Sequence, residues 1–287
     1  MLSSDTRTML ILVTNDDGIE SEGLVKLQSA LTSVGEVLVI APDRDWTGAG
    51  HSKSIHKTLR VFERELSDGS RAYATDGTPT DCVALGVLGL VGRRPDVVVS
   101  GINKGPNLGH DITYSGTVAA AIEAAINEVP AIAVSLGGYE SWRFDFAADF
   151  TARLLRVIMA GDPHPGALFN VNVPGLPASE IKGIETTRLG QRIYRDVLMG
   201  MEEPDAGRCY RITGEMPDGL EEEGTDIKAL AEGKISITPI HLDLTHHRLL
   251  SQLQTSGLEE ELNRALFGAT AANLGALGCV SPKTPAW

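Results

Sequence analysis

Two neighbouring aspartates, Asp16 and Asp17, are the residues of this sequence whose types and spacing most directly suggest chemistry. Adjacent carboxylates repel each other unless a cation lies near them, and such hard oxygen ligands suit Mg²⁺, Mn²⁺ or Ca²⁺ better than Zn²⁺. The same residues belong to the sequence Asn-Asp-Asp-Gly, which is also favourable for a turn. By themselves, the residues therefore leave a metal site and a plain turn as alternatives.

Three further segments could contribute to a site, and each has an ordinary structural alternative. The segment SGIN (100–103) offers an amide oxygen as a neutral metal ligand, or it is a loop that caps a helix. The segment YSGT (114–117) precedes an Ala-rich stretch, so it predicts either a phosphate site at a helix N-terminus or a simple N-cap. The segment 43–53 carries Arg44, His51 and Lys53, which either face an anionic substrate or are solvated.

These segments follow short apolar runs that are predicted to be buried parallel strands. The runs are MLILV (9–13), VLVIA (37–41), VVVS (97–100) and AIAVS (131–135), and helical patterns lie between them at 24–31, 79–90 and 117–127. A strand, a helix and a strand within about 35 residues form a βαβ unit, which implies a parallel sheet. Ligands bind beyond the carboxyl ends of such strands. The segments 14–18, 42–54, 100–107 and 135–138 are therefore expected to meet at one edge.

The rest of the chain predicts further elements around this sheet. We expect a hairpin over 59–74, a long helix over Trp142–Met159 and a strand over Phe169–Val173. Short alternating segments from about 181 to 245 indicate a smaller antiparallel extension. The predicted organisation is one domain over 8–250, with a core at 8–180 and the extension at 181–245. A C-terminal tail at 251–287 contains a helix over Leu258–Phe267.

Composition limits the possible partners. The formal net charge is −13, which would repel a polyanion over most of the surface, so we expect no nucleic-acid partner. The three cysteines, Cys82, Cys209 and Cys279, lack C-x-x-C spacing and are interpreted as reduced thiols. We expect neither a leader peptide nor a membrane span, and hence a cytoplasmic protein. The sequence also lacks a P-loop, a G-x-S-x-G elbow and a G-x-G-x-x-G after the first strand.

Seven stretches, in order along the chain, resemble the survival protein E (SurE) family of metal-dependent nucleotidases. They are ILVTNDDGIESEGL (11–24), VIAPDRDWTGAGHS (39–52), TDGTPTDCV (75–83), PDVVVSGINKGPNLGHDITYSGTVAAAIEA (95–124), PAIAVS (130–135), FNVNVP (169–174) and SITPIHLDLT (236–245). Agreement across seven separate segments is far more specific than any single motif.

The resemblance implies a Rossmann-like, three-layer α/β core with a mostly parallel sheet, and an antiparallel extension exchanged between subunits of a homodimer or homotetramer. It implies hydrolysis of nucleoside 5′- and 3′-monophosphates, and of short polyphosphate, with one divalent metal ion per subunit, Mg²⁺ or Mn²⁺. Carried over to this sequence, the metal ligands are Asp16, Asp17 and Asn103, and the aspartates are also catalytic. The fourth family ligand is a serine, and its position here holds Thr47, which keeps the hydroxyl.

Further residues match the family's pocket and are predicted to bind substrate or phosphate: Asn15, Ser100, Gly101, Asn107, Ser115, Gly116 and Thr117. The alternative function is a nucleotide-binding or sensing module that keeps the fold without hydrolysing its ligand. The retained aspartate pair and Asn103 favour the enzyme, because binding alone would not require a charge-dense metal site.

Overall fold

The computed structural model describes residues 7–138, 142–202, 208–215 and 218–268. These residues form two compact units, one extending to His241 and the other beginning at Leu242. Among the described residues, no helix is both long and apolar enough to cross a membrane.

Thirteen strands are present in the described chain. They are β1 (Leu10–Thr14), β2 (Glu36–Pro42), β3 (Val61–Glu65), β4 (Arg71–Thr75), β5 (Val97–Lys104), β6 (Ala131–Leu136), β7 (Leu168–Val173), β8 (Ile184–Thr186), β9 (Arg192–Ile193), β10 (Asp196–Glu202), β11 (Arg208–Gly214), β12 (Asp218–Gly219) and β13 (Ile235–Ile240). Nine of them form one sheet in the order β3-β4-β2-β1-β5-β6-β7-β13-β8. The six strands from β4 to β7 in this order are parallel, whereas β3 and β13 run antiparallel to their neighbours β4 and β7.

Seven α-helices accompany the sheet in the described residues. They are α1 (Glu22–Leu31), α2 (Pro79–Val87), α3 (Gly116–Ile126), α4 (Phe144–Ala160), α5 (Asp226–Ala231), α6 (His247–Thr255) and α7 (Leu258–Phe267). Side chains of α1 and α4, such as Leu27 and Phe144, pack on one face of the sheet. Side chains of α2 and α3, such as Val83 and Val118, pack on the other face. The predicted three-layer α/β core with a mostly parallel sheet is therefore confirmed.

The central strands are apolar runs because both of their faces are covered by helices. All five residues of β1 and all six of β6 are buried. Each helix next to the predicted site begins at a capped residue: the side chain of Ser21 accepts from the Leu24 N–H, and Thr78 and Asp81 form a capping box. These caps fix where the loops end and the helices begin.

The third central strand is longer than the sequence predicted. β5 continues past Ser100, and after an irregularity Asn103 pairs with Ser135 of β6. The irregularity lies at Gly101, where a Cβ would come 2.4 Å from the carbonyl oxygen of Val134. Periodicity could not reveal this continuation, because the residues after Ser100 are polar and Gly-rich. The candidate ligand Asn103 thus lies on a strand and not in a loop.

The predicted extension divides between the main sheet and two small antiparallel ribbons. β8 and β13 join the main sheet, whereas β10 pairs with β11 and β9 pairs with β12. The β10–β11 hairpin exposes large apolar side chains, among them Leu198 and Ile212. Exchange of this extension between subunits stays a prediction. In the second unit, α7 coincides with the predicted helix; the tail beyond residue 268, with Cys279, lies outside the described residues.

Candidate active site

The predicted site residues lie at the carboxyl edge of the central strands. Thr14, the last residue of β1, pairs with Ser100 of β5, so Asp16 and Asp17 follow β1 at the level where β5 continues to Asn103. The loops after β1, β2, β5 and β6 leave the sheet at this edge. The convergence predicted from the carboxyl ends of the parallel strands is therefore a property of the fold.

Asp16 is buried and held from several sides. The residue is only 3% exposed, and its Oδ1 accepts a 2.5 Å hydrogen bond from the hydroxyl of Thr117. Its carbonyl oxygen accepts from the N–H of Trp46 at 2.8 Å, which brings the loop after β2 to the aspartate. Burial raises the pKa of Asp16, and the hydrogen bonds from Thr117 oppose that rise.

Asp17 is half-buried beside it. Burial and the neighbouring charge of Asp16 raise the pKa of Asp17 to about 6, although the nearby Lys104 opposes this shift. Among the described residues, its Oδ2 is a buried atom without a hydrogen-bond partner. The pair therefore has the electrostatic character of a site that a cation would stabilise.

Asn103 immediately precedes Lys104, the residue of β5 that interacts with Asp17. The main chain of Lys104 hydrogen-bonds to the Asp17 carboxylate and opposes the rise of its pKa, so β5 and the loop after β1 are in direct contact. The side-chain amide of Asn103 donates to the carbonyl oxygen of Gly105 at 2.8 Å. That bond uses the nitrogen and orients the amide, which leaves the oxygen as the group that could bind a metal.

Thr47 lies in the loop next to the residue that contacts Asp16. It is exposed, and its hydroxyl and its N–H both donate to Oδ1 of Asp45, at 2.6 and 2.7 Å. A hydroxyl that donates one hydrogen bond keeps its oxygen lone pairs. Metal ligation by Thr47 stays a prediction.

Residues at the start of α3 cap the helix and contact Asp16. The hydroxyl of Ser115 accepts from the Val118 N–H at 3.1 Å, which is the N-cap that the sequence left as an alternative to phosphate binding. Gly116 packs against the aspartate, since a Cβ at this position would lie 2.7 Å from the Cβ of Asp16. Thr117 directs both its hydroxyl and its main chain to that carboxylate.

Three more predicted residues line the strand ends. The amide of Asn15 donates to the Gly18 carbonyl at 2.9 Å and to the Ser21 hydroxyl at 2.7 Å, which shapes the loop after β1. In the described part of the chain, the Asn15 Oδ1 and the Ser100 hydroxyl are buried and have no hydrogen-bond partner. Gly101 gives the close approach to β6 described above.

Asn107 belongs to a buried amide cluster that the sequence analysis did not identify. Its N–H donates to Asn172 Oδ1 at 2.8 Å, and its side chain donates to the Ser135 hydroxyl at 2.8 Å. Its carbonyl oxygen accepts from the side chains of Asn170 and Asn172. Two asparagines at alternate positions of the apolar strand FNVNV were the available signal, because buried strand residues of this kind require partners.

The cations of the loop after β2 have a defined partner that sequence reasoning missed. The buried carboxylate of Glu123 on α3 accepts from Lys53 at 2.6 Å and lies 3.4 Å from the His51 ring. Burial alone would raise the pKa of Glu123, but these hydrogen bonds outweigh it and lower the pKa. His51 and Lys53 thus fasten the loop to α3. Arg44 lies against the Trp46 ring, 5.4 Å from its centroid.

The described residues contain no cluster of three or more His, Cys, Asp and Glu side chains with the spacing of a metal site. The predicted ligand set has only two carboxylates and completes the site with amide and hydroxyl oxygens. Such a set corresponds to a hard cation and not to a zinc centre.

Comparison with known proteins decides the family. The model of the family described as Survival protein SurE matches residues 11–196. The chain belongs to the SurE family.

Relatives within the SurE family are similar over nearly their whole length. A protein of Chloroflexus aggregans named 5′-nucleotidase SurE is 49% identical over 248 residues, which cover 86% of this chain and 98% of the relative. A protein of the same name from Rubrobacter xylanophilus is 48% identical over 257 residues, covering 86% and 97%. The crystal structure of a SurE protein from Aquifex aeolicus superposes with a TM-score of 0.73 at 40% identity, covering 85% of this chain and 98% of that one.

Proposed function

We propose that this chain is a 5′-nucleotidase that hydrolyses nucleoside 5′-monophosphates to nucleoside and phosphate with one divalent cation per subunit. The observation that carries the proposal is the pair of shielded carboxylates, Asp16 and Asp17, at the carboxyl edge of a parallel sheet. Relatives named 5′-nucleotidase SurE, similar over 86% of this chain, support the reaction class.

The residues present suit a Mg²⁺ or Mn²⁺ ion. Two carboxylates with raised pKa values lie side by side, and Asp17 Oδ2 is buried without a hydrogen-bond partner among the described residues. A divalent cation would offset their repulsion and burial. Asp16, Asp17 and Asn103 would hold the ion, with Thr47 as the fourth protein ligand.

The bound cation would neutralise phosphate charge and lower the pKa of a coordinated water. The protein residues orient the reacting groups and transfer protons. Thr117 holds Asp16 in one position, and one of the two aspartates accepts the proton of the attacking water. The positive end of the α3 dipole stabilises the phosphate oxygens. Water forms the new P–O bond as the bond to the nucleoside oxygen breaks, and the proton that the aspartate took from the water passes to that leaving oxygen. The nucleoside lies towards the 42–54 loop.

The first test measures phosphate release. The protein is incubated with 5′-AMP or p-nitrophenyl phosphate, in the presence of Mn²⁺ or of EDTA, and 3′-AMP and tripolyphosphate extend the panel. We expect release from 5′-AMP that EDTA abolishes. Tight nucleotide binding without release would favour the non-hydrolysing sensor.

A substitution ties the activity to the aspartate pair. Asp16→Asn should lower the rate by about 100-fold or more, because it removes a charged ligand and a candidate base. The matched control is Asp145→Asn, an exposed aspartate whose partner is Lys26. Equal rates in Asp16→Asn and in the control would contradict the proposed site.

The proposal includes a homodimer or homotetramer. The β10–β11 hairpin exposes Val197, Leu198, Tyr210 and Ile212, which supports contact with a second subunit. Light scattering of the protein and of a Leu198→Lys/Ile212→Lys variant tests this part separately. A lower mass for the variant is the expected outcome, whereas a monomeric unsubstituted protein would contradict it.

A further inference from the structure

One loop connects the two sides of the candidate site. It leaves the end of β5 just after Asn103 and Lys104, and it ends at Ser115, the N-cap of α3. Thr117, in the first turn of α3, holds the Asp16 carboxylate. A shift of this loop would therefore move groups on both sides of the aspartate pair.

Asp111 fixes the second half of this loop through its main chain. Its carbonyl oxygen accepts from the N–H of Tyr114 at 3.0 Å and from the N–H of Ser115 at 3.2 Å. These are the last two residues before α3. The position of Asp111 consequently sets the direction in which the helix begins.

Two residues of the extension hold the side chain of Asp111. The Nε of Arg192 donates to Oδ2 at 2.6 Å, and the hydroxyl of Tyr194 donates to Oδ1 at 2.7 Å. Both carboxylate oxygens are thus engaged by a segment that lies more than 80 residues further along the chain. Burial and the hydrogen bond to Asp111 raise the pKa of Tyr194, so the phenol stays protonated as a donor.

The Arg192–Asp111 pair is shielded from water in a way that surface pairs are not. The two side chains are 8% and 18% exposed, whereas those of Arg188 and Glu222, another pair of the same extension, are 60% and 55% exposed. A desolvated, charge-assisted hydrogen bond is strong, and loss of one partner leaves a buried charge uncompensated. An exposed pair contributes little.

A second carboxylate joins the same two segments. Asp226, at the start of α5, accepts from the N–H of Gly109 at 2.8 Å and from the N–H of Gly190 at 2.7 Å. Gly109 packs so closely that a Cβ would lie 2.4 Å from the carbonyl oxygen of Gly190. The segment that carries Arg192 is therefore itself fixed against the loop.

From these contacts we infer that Arg192 and Tyr194 are positioning residues for phosphate binding: by holding Asp111 they fix the start of α3 against the phosphate group. The inference rests on the proposed function, because it assumes that the start of α3 receives the phosphate. Neither residue touches the reacting atoms, so the larger effect of losing them falls on binding of phosphate. A smaller effect on the chemical step is expected, because Thr117 in the same helix turn holds Asp16.

Two variants test the inference in the full-length protein with Mn²⁺. Arg192→Gln removes the charged partner, and Tyr194→Phe removes one hydroxyl while keeping the ring. For both we expect the KM for 5′-AMP and the inhibition constant of inorganic phosphate to rise together, with a smaller fall in kcat. The rise should be about 10-fold or more for Arg192→Gln and smaller for Tyr194→Phe. Arg192→Lys should recover part of the loss.

Hydrogen exchange supplies a readout that does not depend on turnover. The amides of residues 114–118 should exchange faster in both variants than in the unsubstituted protein. The matched control is Arg188→Gln, which breaks the exposed pair with Glu222 and should change neither exchange nor kinetics. If the unsubstituted protein releases no phosphate from any nucleotide, the proposed function fails. The inference then survives only if inorganic phosphate still slows hydrogen exchange of the amides of residues 114–118, and it fails if phosphate does not.

Other outcomes overturn the inference directly. Unchanged exchange at 114–118 in both variants would show that Asp111 does not need the two residues. A fall in kcat with unchanged KM, or faster exchange over the whole chain, would indicate a general structural role. If Arg192→Gln does not fold, Tyr194→Phe decides between these results.

Discussion

The hydroxyl of Thr117 donates a 2.5 Å hydrogen bond to the carboxylate of Asp16, a residue 101 positions earlier in the chain. Asp16 is almost fully buried, which raises its pKa, and this bond and the main chain of Thr117 are among the contacts that oppose the rise. The first turn of α3 therefore orients a predicted metal ligand and opposes its protonation, a role usual for the outer shell of a metal site.

Thr117→Val tests this relationship, because valine has nearly the same shape but no hydroxyl. The pKa of Asp16 should rise further, and both Mn²⁺ affinity and phosphate release should fall by about 10- to 100-fold. Mn²⁺ titration and initial rates measure the two effects. Thr113→Val is the control, since that hydroxyl is exposed and donates only to the His110 carbonyl. Equal affinities in the two variants would count against the role of Thr117.

Gly116→Ala tests the close packing of α3 against the site. The new Cβ would lie 2.7 Å from the Cβ of Asp16 and 3.0 Å from its Oδ2, so the aspartate or the helix must shift. We expect a large loss of activity with the fold retained. Gly200→Ala, whose Cβ would lie 3.8 Å from the Tyr210 ring, should keep the original rate. Full activity in Gly116→Ala would mean that the site tolerates displacement of Asp16.

The pH dependence of stability should carry a signature of Asp17. In the metal-free folded protein this group keeps its proton up to about pH 6, whereas in the unfolded chain it ionises near 3.8. Between these values the folded state binds more protons, so this group's contribution to the free energy of unfolding falls as pH rises. Above about pH 6 the contribution of Asp17 to the free energy of unfolding is fully lost.

Urea unfolding in EDTA of the unsubstituted protein and of Asp17→Asn measures this contribution. As pH rises from about 4 to about 7, the difference in free energy of unfolding between the two proteins should change in favour of the variant. Added Mn²⁺ should reverse the trend only for the unsubstituted protein. A stability difference that does not change with pH would show that the carboxylate is not shielded.

Glu123→Gln tests the attachment of the loop after β2. Glutamine carries no charge, so the buried hydrogen bond from Lys53 to residue 123 is no longer one between two charged groups. This loss should lower the free energy of unfolding by about 1–3 kcal/mol. Because the loop is predicted to face the nucleoside, KM for 5′-AMP should rise more than KM for p-nitrophenyl phosphate. Glu36→Gln, which breaks an exposed pair with Arg93, is the control. An equal rise for both substrates would argue against a nucleoside contact.

Much of the fold followed from local patterns. Apolar runs such as MLILV and AIAVS became β1 and β6 because a strand covered on both faces must be apolar throughout. The position of Asp16 and Asp17 after β1 then placed them at the binding edge. The continuation of β5 to Lys104 was not predictable, since its polar residues are satisfied by pairing with β6.

The sequence predicted which residues belong to the candidate site better than it predicted their hydrogen-bond partners. The sequence predicts that Asn107 binds substrate, yet its amide and main chain are engaged by Ser135, Asn170 and Asn172. The sequence also predicts that Ser115 binds phosphate, and its hydroxyl caps α3. Whether either also contacts a ligand stays a prediction. Such partners lie 28 to 65 residues away from Asn107, a separation at which no periodic pattern carries information.

The sequence by itself determined the buried parallel strands, the edge at which polar loops gather, and the adjacent carboxylates Asp16 and Asp17. These depend on local spacing and on the handedness of βαβ units. Only the tertiary structure decided which groups surround the pair: Thr117 on Asp16, Lys104 on Asp17, and Arg192 on the Asp111 that fixes the start of α3. The physical reason is that hydrogen bonding and desolvation depend on distances between residues brought together by folding, and these set the charge state that the chemistry requires.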